Sequence, residues 1–246
     1  LGPVYGNFSR YNLRSVLFKL NKIVLREDVC KSNYPHVFQG LKNIEMGNDF
    51  AFNLNFDSKK INKINPDKPL LVGLTLKNYN NFERNKLYFN LLKKIIDYLN
   101  NNFDCLFHFI PHVTIDDDLD QCLKFKSELS SDILNKCHFD FSNYMVDELL
   151  NIYFSKDIII GTRLHSTIFS LVTNTRVINL GYHGTKAKGV FKKCSLEDCQ
   201  FEIDDKIEKI TNSISKLLSS NFDFSETLEN IRLQNEKIVN DIIHYD

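Results

Sequence analysis

The chain of 246 residues contains no tryptophan and no surplus of either charge: 31 Lys and Arg balance 31 Asp and Glu. A protein that grips nucleic acid regardless of sequence shows a basic excess toward the phosphates, so the balance argues against that class. Long apolar runs are also missing. The stretch 70–76 is among the longest, well short of the roughly 20 residues that a membrane-crossing helix needs. No basic stretch leading into an apolar one is visible at the amino end, so no secretory leader is expected. The six cysteines (Cys30, Cys105, Cys122, Cys137, Cys194 and Cys199) include no CxxC pair and no zinc-type ligand spacing. Neither a disulfide framework nor a zinc centre is therefore expected, and the compartment read from them is the reducing cytoplasm. Cys105 and Cys137 fall in apolar runs and read as small hydrophobes. No internal repeat is evident. What is present is material for a core: 20 Phe, 10 Tyr and 43% apolar residues, with 25% charged, exclude disorder for the bulk of the chain.

Short apolar runs alternate with amphipathic stretches. The run 70–76 predicts a buried strand, and 82–100 a helix in which Tyr88, Leu91, Leu92, Ile95, Ile96 and Leu99 recur at helical spacing. Further strands are expected at 105–110, 137–141, 157–160, 176–180 and 200–203. Further helices are expected at 119–134, 144–154, 164–173, 204–219 and 227–244. Strand and helix alternating with short connections imply a mostly parallel sheet with helices on both faces, an α/β architecture. Such sheets bind ligands at the carboxyl ends of their strands, near a switch in strand order. The segment 57–69 is polar with two prolines and reads as a linker. Before it, residues 1–56 offer helices at 11–20 and 28–39 and strands at 22–25 and 44–46, too little for an independent core.

The most informative segment is Gly161-Thr162-Arg163-Leu164-His165, where an apolar strand runs into glycine and a helix begins within a few residues. A helix amino terminus carries unpaired N–H groups and partial positive charge. Arg163 adds a planar fork suited to a carboxylate or phosphate, and His165 a group that titrates near neutral pH. Thr162 suits the N-cap. On the residues alone, a surface ion pair for Arg163 and an ordinary polar role for His165 stand equally open. The segment 177–190 follows the next strand and reads as a glycine-rich loop on the same sheet edge, with Lys186 and Lys188 in reach of a phosphate or simply solvated.

Together these residues resemble the polysaccharide pyruvyl transferase family, which pairs a GxRLH segment with a downstream Tyr-x-x-Lys-x-x-Gly segment. Here Asn179-Leu180-Gly181-Tyr182 and Lys186-Ala187-Lys188-Gly189 follow, with one extra residue between Tyr182 and Lys186. Leu1-Gly2-Pro3, Ile23 to Asp28 with Arg26 and Glu27, and Asn48-Asp49-Phe50-Ala51-Phe52 match the family's amino-terminal run in order. Phe50 replaces its usual proline.

The resemblance implies a two-domain, GT-B-like architecture of Rossmann-like sheets. Residues 1–56 would be the remainder of an amino-terminal domain incomplete in this chain, 70–225 the carboxyl-terminal domain, and 226–246 a helix returning toward the amino-terminal piece. It also implies an enzyme that moves a pyruvyl group from phosphoenolpyruvate onto two hydroxyls of a sugar, in exopolysaccharide or other cell-envelope glycan synthesis, and releases phosphate. The acceptor would be a glycan or lipid-linked sugar, compatible with peripheral membrane association, and no metal or organic cofactor is implied.

That chemistry needs cationic clamps for the donor and an acid to protonate its methylene carbon. Arg163 and His165 are the catalytic candidates, Arg163 as clamp and His165 as acid or as a hydrogen-bond donor to the donor's phosphate. Arg26, Lys186, His112 and Asp49 join them as substrate-binding candidates. Arg26 and His112 follow strands and so point to the ligand edge. Asp49 is a base or, by the commoner use of its type, a turn cap. His108, inside a strand, reads as a core or flank residue, and Asp116-Asp117-Asp118 as an acidic helix start rather than a metal site. A GT-B-type glycosyltransferase using a nucleotide sugar and a non-catalytic carbohydrate- or partner-binding domain are the alternative readings.

Overall fold

The computed structural model of the chain describes residues 6–27, 29–57, 64–110, 118–181 and 185–244. It opens with α1 (Asn7–Leu17), β1 (Ile23–Leu25), α2 (Val29–Asn33), α3 (Pro35–Phe38) and β2 (Ile44–Met46), and β1 pairs with β2 in parallel. A 3-10 turn, Phe50–Asn53, follows. The larger part contains β3 (Leu70–Leu74), α4 (Phe82–Asn102), β4 (Cys105–Phe109), α5 (Asp118–Lys126), α6 (Ser131–Leu134), β5 (Cys137–Phe139) and α7 (Val146–Phe154). It continues through β6 (Ile158–Gly161), α8 (Leu164–Val172), β7 (Arg176–Gly181), α9 (Thr185–Lys193), β8 (Gln200–Glu202), α10 (Ile207–Ser219) and α11 (Ser225–Ile243).

The six strands of the larger sheet are all parallel, in the order β5-β4-β3-β6-β7-β8. The chain winds outward from β3 to β5, returns to β6 beside β3, and winds outward the other way. This is the doubly wound order whose switch point lies between β3 and β6. The residue pattern explains the inner positions. Every residue of β6 and β7 is buried, because helices cover both faces, and their sequences are accordingly near-continuous apolar runs. The long α4 presents Tyr88, Leu92, Ile95, Ile96 and Leu99 to the same core. Each such side chain contributes about 1.5–3 kcal/mol by leaving water. Asn81 starts this helix by accepting the Arg84 N–H at 3.0 Å.

One face of the sheet is different. In β4, Cys105, Phe107 and Phe109 are buried, but Leu106 on the opposite face is 46% exposed. Leu71, Leu106, His108, His138 and Lys156 border a groove of about 350 Å³ on that face. Burial, with Lys156 and His138 beside it, pushes the His108 imidazole down to about 4 against the pull of Asp140.

Several boundaries differ from expectation for identifiable reasons. The helix expected over 28–39 is two short ones broken at Tyr34, because the following Pro35 disfavours helical backbone before it. The helix expected over 119–134 stops at Lys126 and restarts at Ser131. The expected loop after β7 contains a helix, α9. Its interior Gly189 weakens the helical pattern, but a Cβ there would come within 3.1 Å of the Glu27 side chain, so close packing accounts for the glycine.

The main core is one cluster running from Phe52 to Ile231, and a smaller cluster of Leu17, Ile23, Leu25, Val37 and Phe38 lies under β1 and β2. The helix α11 crosses to this amino-terminal part. Arg232 donates to the carbonyls of Phe52 (3.0 Å) and Leu54 (2.6 Å), and Asn235 donates to Asn53 Oδ1 at 2.6 Å.

At the start of β7, Arg176 is 1% exposed and donates to the Leu217 and Ser220 carbonyls, both at 2.9 Å, at the end of α10. Arg176→Met removes these donors, leaving the Leu217 carbonyl to the Ser220 hydroxyl (2.9 Å) and the Ser220 carbonyl without the guanidinium. We expect a loss of roughly 2–4 kcal/mol in equilibrium unfolding. Unchanged stability would show that water replaces the guanidinium.

Candidate functional site at the switch point

The carboxyl ends of β3 and β6 are joined by two threonines. The Thr162 N–H donates to Thr75 Oγ1 at 3.2 Å, and the Thr162 hydroxyl donates to the Thr75 carbonyl at 2.8 Å. Thr75 N–H in turn donates to the Ile160 carbonyl at 3.2 Å. Thr162, expected at the N-cap of the next helix, is thus committed to the sheet. Arg163 occupies the N-cap position instead, with extended backbone and no side-chain cap. The turn is tight. A Cβ on Gly161 would stand 2.6 Å from Ser166 Oγ, which itself donates to the Arg163 carbonyl at 2.6 Å.

The result is a helix amino terminus opening onto the crevice between β3 and β6. Arg163 is half-buried at its mouth and His165 is exposed on its first turn. The His165 ring lies 6.4 Å from that of Phe169, one turn on. Unpaired N–H groups at such an end carry partial positive charge and suit an anionic ligand. Behind them, the fully buried Asn179 at the end of β7 donates to Thr167 Oγ1 at 3.0 Å and to the Gly161 carbonyl at 3.4 Å. Its Oδ1 has no hydrogen-bond partner among the described residues. The neighbouring strand β7 leads into α9, so Lys186, exposed on the first turn of that helix, stands on the same sheet edge. Lys188 is turned to Glu202, 3.2 Å away.

Arg26 and Asp49 follow β1 and β2 and form one cluster. Arg26 Nη1 meets Asp49 Oδ2 at 2.7 Å, and Arg26 Nε meets Glu27 Oε1 at 2.5 Å. Burial opposes the arginine's charge, but the two carboxylates outweigh it and hold its pKa above the ordinary value. Asp49 Oδ1 also accepts the Ala51 N–H at 3.0 Å and so caps the 3-10 turn, the structural role weighed for it from sequence. The Arg26 fork therefore rests on protein carboxylates.

Lys193, at the end of α9, completes the cluster by donating to the Arg26 carbonyl at 2.6 Å and to the Gly47 carbonyl. One ammonium thus grips the ends of both strands of the small sheet. With Lys193, Arg26, Glu27 and Asp49, two positive charges face two negative ones. Arg163, at the N-cap of α8, and Lys186, on the first turn of α9, stand on the same sheet edge.

Sequence reasoning missed Lys193, Glu27 and the Thr75–Thr162 pair. Lys193 lies past the segment 177–190 read as loop, and its partners, like those of Thr162, are distant in sequence; Glu27 adjoins Arg26 in the chain. His112, Tyr182 and Leu1 to Pro3 lie outside the described residues.

A family model described as polysaccharide pyruvyl transferase matches residues 1–184. No curated protein matches significantly by sequence. Among solved structures, the chain is similar to the UDP-GlcNAc 2-epimerase of Methanocaldococcus jannaschii in complex with UDP-GlcNAc and UDP. The TM-score is 0.62 at 16% identity, over 92% of this chain and 61% of that one. It is also similar to UDP-forming trehalose-phosphate synthases from Burkholderia xenovorans (TM-score 0.60, 8% identity, 98% and 66% of the two chains) and Burkholderia vietnamiensis (0.55, 9%, 97% and 66%). At such identities the likeness shows the fold alone, an α/β fold of GT-B-like type. The chain spans 61 to 66% of the length of these structures.

The Lys193 grip has a separable consequence. Lys193→Met leaves two strand-end carbonyls without their cationic donor, which costs about 1–3 kcal/mol locally. Hydrogen exchange of the β1 and β2 amides should accelerate while that of β6 and β7 stays as it was. Equal acceleration throughout would show that the two sheets open as one unit.

Proposed function

The chain belongs to the polysaccharide pyruvyl transferase family, and on that premise we propose that the protein moves a pyruvyl group from phosphoenolpyruvate onto two hydroxyls of a sugar in a surface glycan or its lipid-linked precursor. The observation that carries the reading is the position of Gly161 to His165 at the switch point, where Thr162 fixes the strand end and the amino terminus of α8 faces the crevice.

The reaction divides among these groups as follows. Arg163 and the first N–H groups of α8 hold the donor's carboxylate or phosphate. His165 gives a proton to the methylene carbon of the donor, which becomes the methyl group, while a sugar hydroxyl adds to the neighbouring carbon. Phosphate leaves from that carbon, and the second hydroxyl takes its place to close the ketal. Of the two hydroxyl protons, one replaces the proton that His165 gave up and the other departs with the phosphate. Lys186 neutralises charge on the leaving group. The donor carries its own leaving group, so the proposal includes no further cofactor. Arg26 acts indirectly, by holding Asp49 and hence the turn on which α8 packs. A nucleotide-sugar transferase reading has only the fold likeness behind it.

The test is incubation of the full protein with phosphoenolpyruvate and lipid-linked or oligosaccharide acceptors, followed by phosphate release. A parallel arm with UDP-sugars measures UDP release. Phosphate release that depends on both substrates is expected; UDP release in its place would overturn the reading. Within that assay, Arg163→Lys should be nearly as damaging as Arg163→Ala, since lysine keeps the charge and loses the fork. Each should cost roughly 2–4 kcal/mol, about 30- to 1000-fold in kcat/KM. His165→Ala should lower kcat with KM for the donor little changed. Wild-type activity in Arg163→Ala would reduce the segment to a structural turn.

A further inference from the structure

The open face of the larger sheet holds a cluster with no part in the chemistry above. β4 and β5 pair so that His108 stands directly beside His138. Neighbours in register project to the same face, here the uncovered one. Their rings meet edge to face with centroids 4.7 Å apart. Asp140, just past the end of β5, directs its carboxylate at the pair, and Oδ2 lies 3.3 Å from His108 Nε2. One ligand-type atom from each of the three side chains lies within 4.8 Å of the other two, the one such group of three among the described residues.

The carboxylate is itself held from behind. Oδ1 accepts the Ser142 N–H at 3.0 Å, and Oδ2 accepts the Tyr144 hydroxyl. Metal-binding carboxylates and imidazoles are characteristically oriented by such outer hydrogen bonds. His138 is exposed on the edge strand, at the rim of the groove that His108 also lines.

We propose that His108, His138 and Asp140 form a binding site for a divalent transition-metal ion of the zinc type, with its open coordination position facing the groove. Two imidazoles and a carboxylate are borderline donors that suit Zn²⁺ or Co²⁺; Mg²⁺ and Ca²⁺ call for oxygen ligands. Metal–ligand bonds near 2.0–2.1 Å place tetrahedral ligand atoms about 3.3 Å apart. His108 and Asp140 already have that separation, so only the exposed His138 ring has to swing inward. A bound ion would tie the three-residue edge strand β5 to β4 through side chains and so stabilise the folded state by mass action.

The groups facing the site are not uniformly favourable. The half-buried Lys156 borders the groove, and its ammonium opposes a second cation; burial holds its own pKa below the ordinary value despite Asp157 and Asp140. Cys137 alternates to the other side of β5, away from the site.

The experiment is titration of the chelator-treated full protein with Co²⁺, read by visible absorption, then displacement by Zn²⁺ with melting followed in parallel. One equivalent of Co²⁺ should give the absorption of a low-coordinate nitrogen–oxygen site without a thiolate charge-transfer band, and Zn²⁺ should displace it and raise the melting temperature. His138→Ala, a change at an exposed position, should weaken binding at least about tenfold, the scale seen even for outer-shell partners. Lys156→Met should tighten it several-fold, an effect that a purely structural hydrogen-bonded cluster would not produce. Absence of binding in the wild type, unchanged binding in His138→Ala, or a thiolate band would each overturn the proposal.

Discussion

The molecule depends on the place where the chain turns back on itself between β3 and β6. Two parallel strands that are distant in sequence become neighbours there, and the helices that follow them leave in opposite directions. A crevice at their carboxyl ends is the unavoidable product, and it stays in shape because Thr162 and Thr75 exchange hydrogen bonds across it. Both threonines are buried, so these bonds close polar groups that water does not reach. With Thr162 used in this way, the next residue, Arg163, must begin the helix. The arginine is therefore delivered to the mouth of the crevice by the chain's need to satisfy its own backbone.

The amino-terminal strands are joined to this frame by polar groups as well as by apolar ones such as Phe52. Among the described residues, their own core is five buried side chains. The attachment is made by Lys193 on the strand-end carbonyls, by Arg232 and Asn235 of α11 on the 3-10 turn, and by the Arg26–Asp49 pair. Buried or half-buried contacts of this kind add modest net stability but demand one geometry, because a displaced partner leaves a polar group unmatched.

The larger sheet is asymmetric in its covering. Its central strands are buried on both faces, whereas the β4 and β5 side leaves a groove lined by Leu106, His108 and His138. The alternation in β4 records this: apolar residues toward α4, a histidine and a leucine toward the open face. Partial burial makes His108 a poor base for protons, while a hydrogen-bonded carboxylate stays beside it.

By itself the sequence determined the class of fold, because hydrophobic periodicity is local: fully buried strands read as continuous apolar runs, and α4 as a stripe at helical spacing. It also singled out Gly161 to His165, since a strand, a glycine and a helix start are adjacent in the chain. Tertiary structure alone decided the partnerships. That Thr162 bonds Thr75 rather than capping a helix, that Arg26 rests on Asp49, that Lys193 grips two strand ends, and that His108, His138 and Asp140 converge all depend on how distant segments are brought together. Strand order follows from how the layers pack around a shared core, and no stretch of sequence short enough to be read as a motif contains that information.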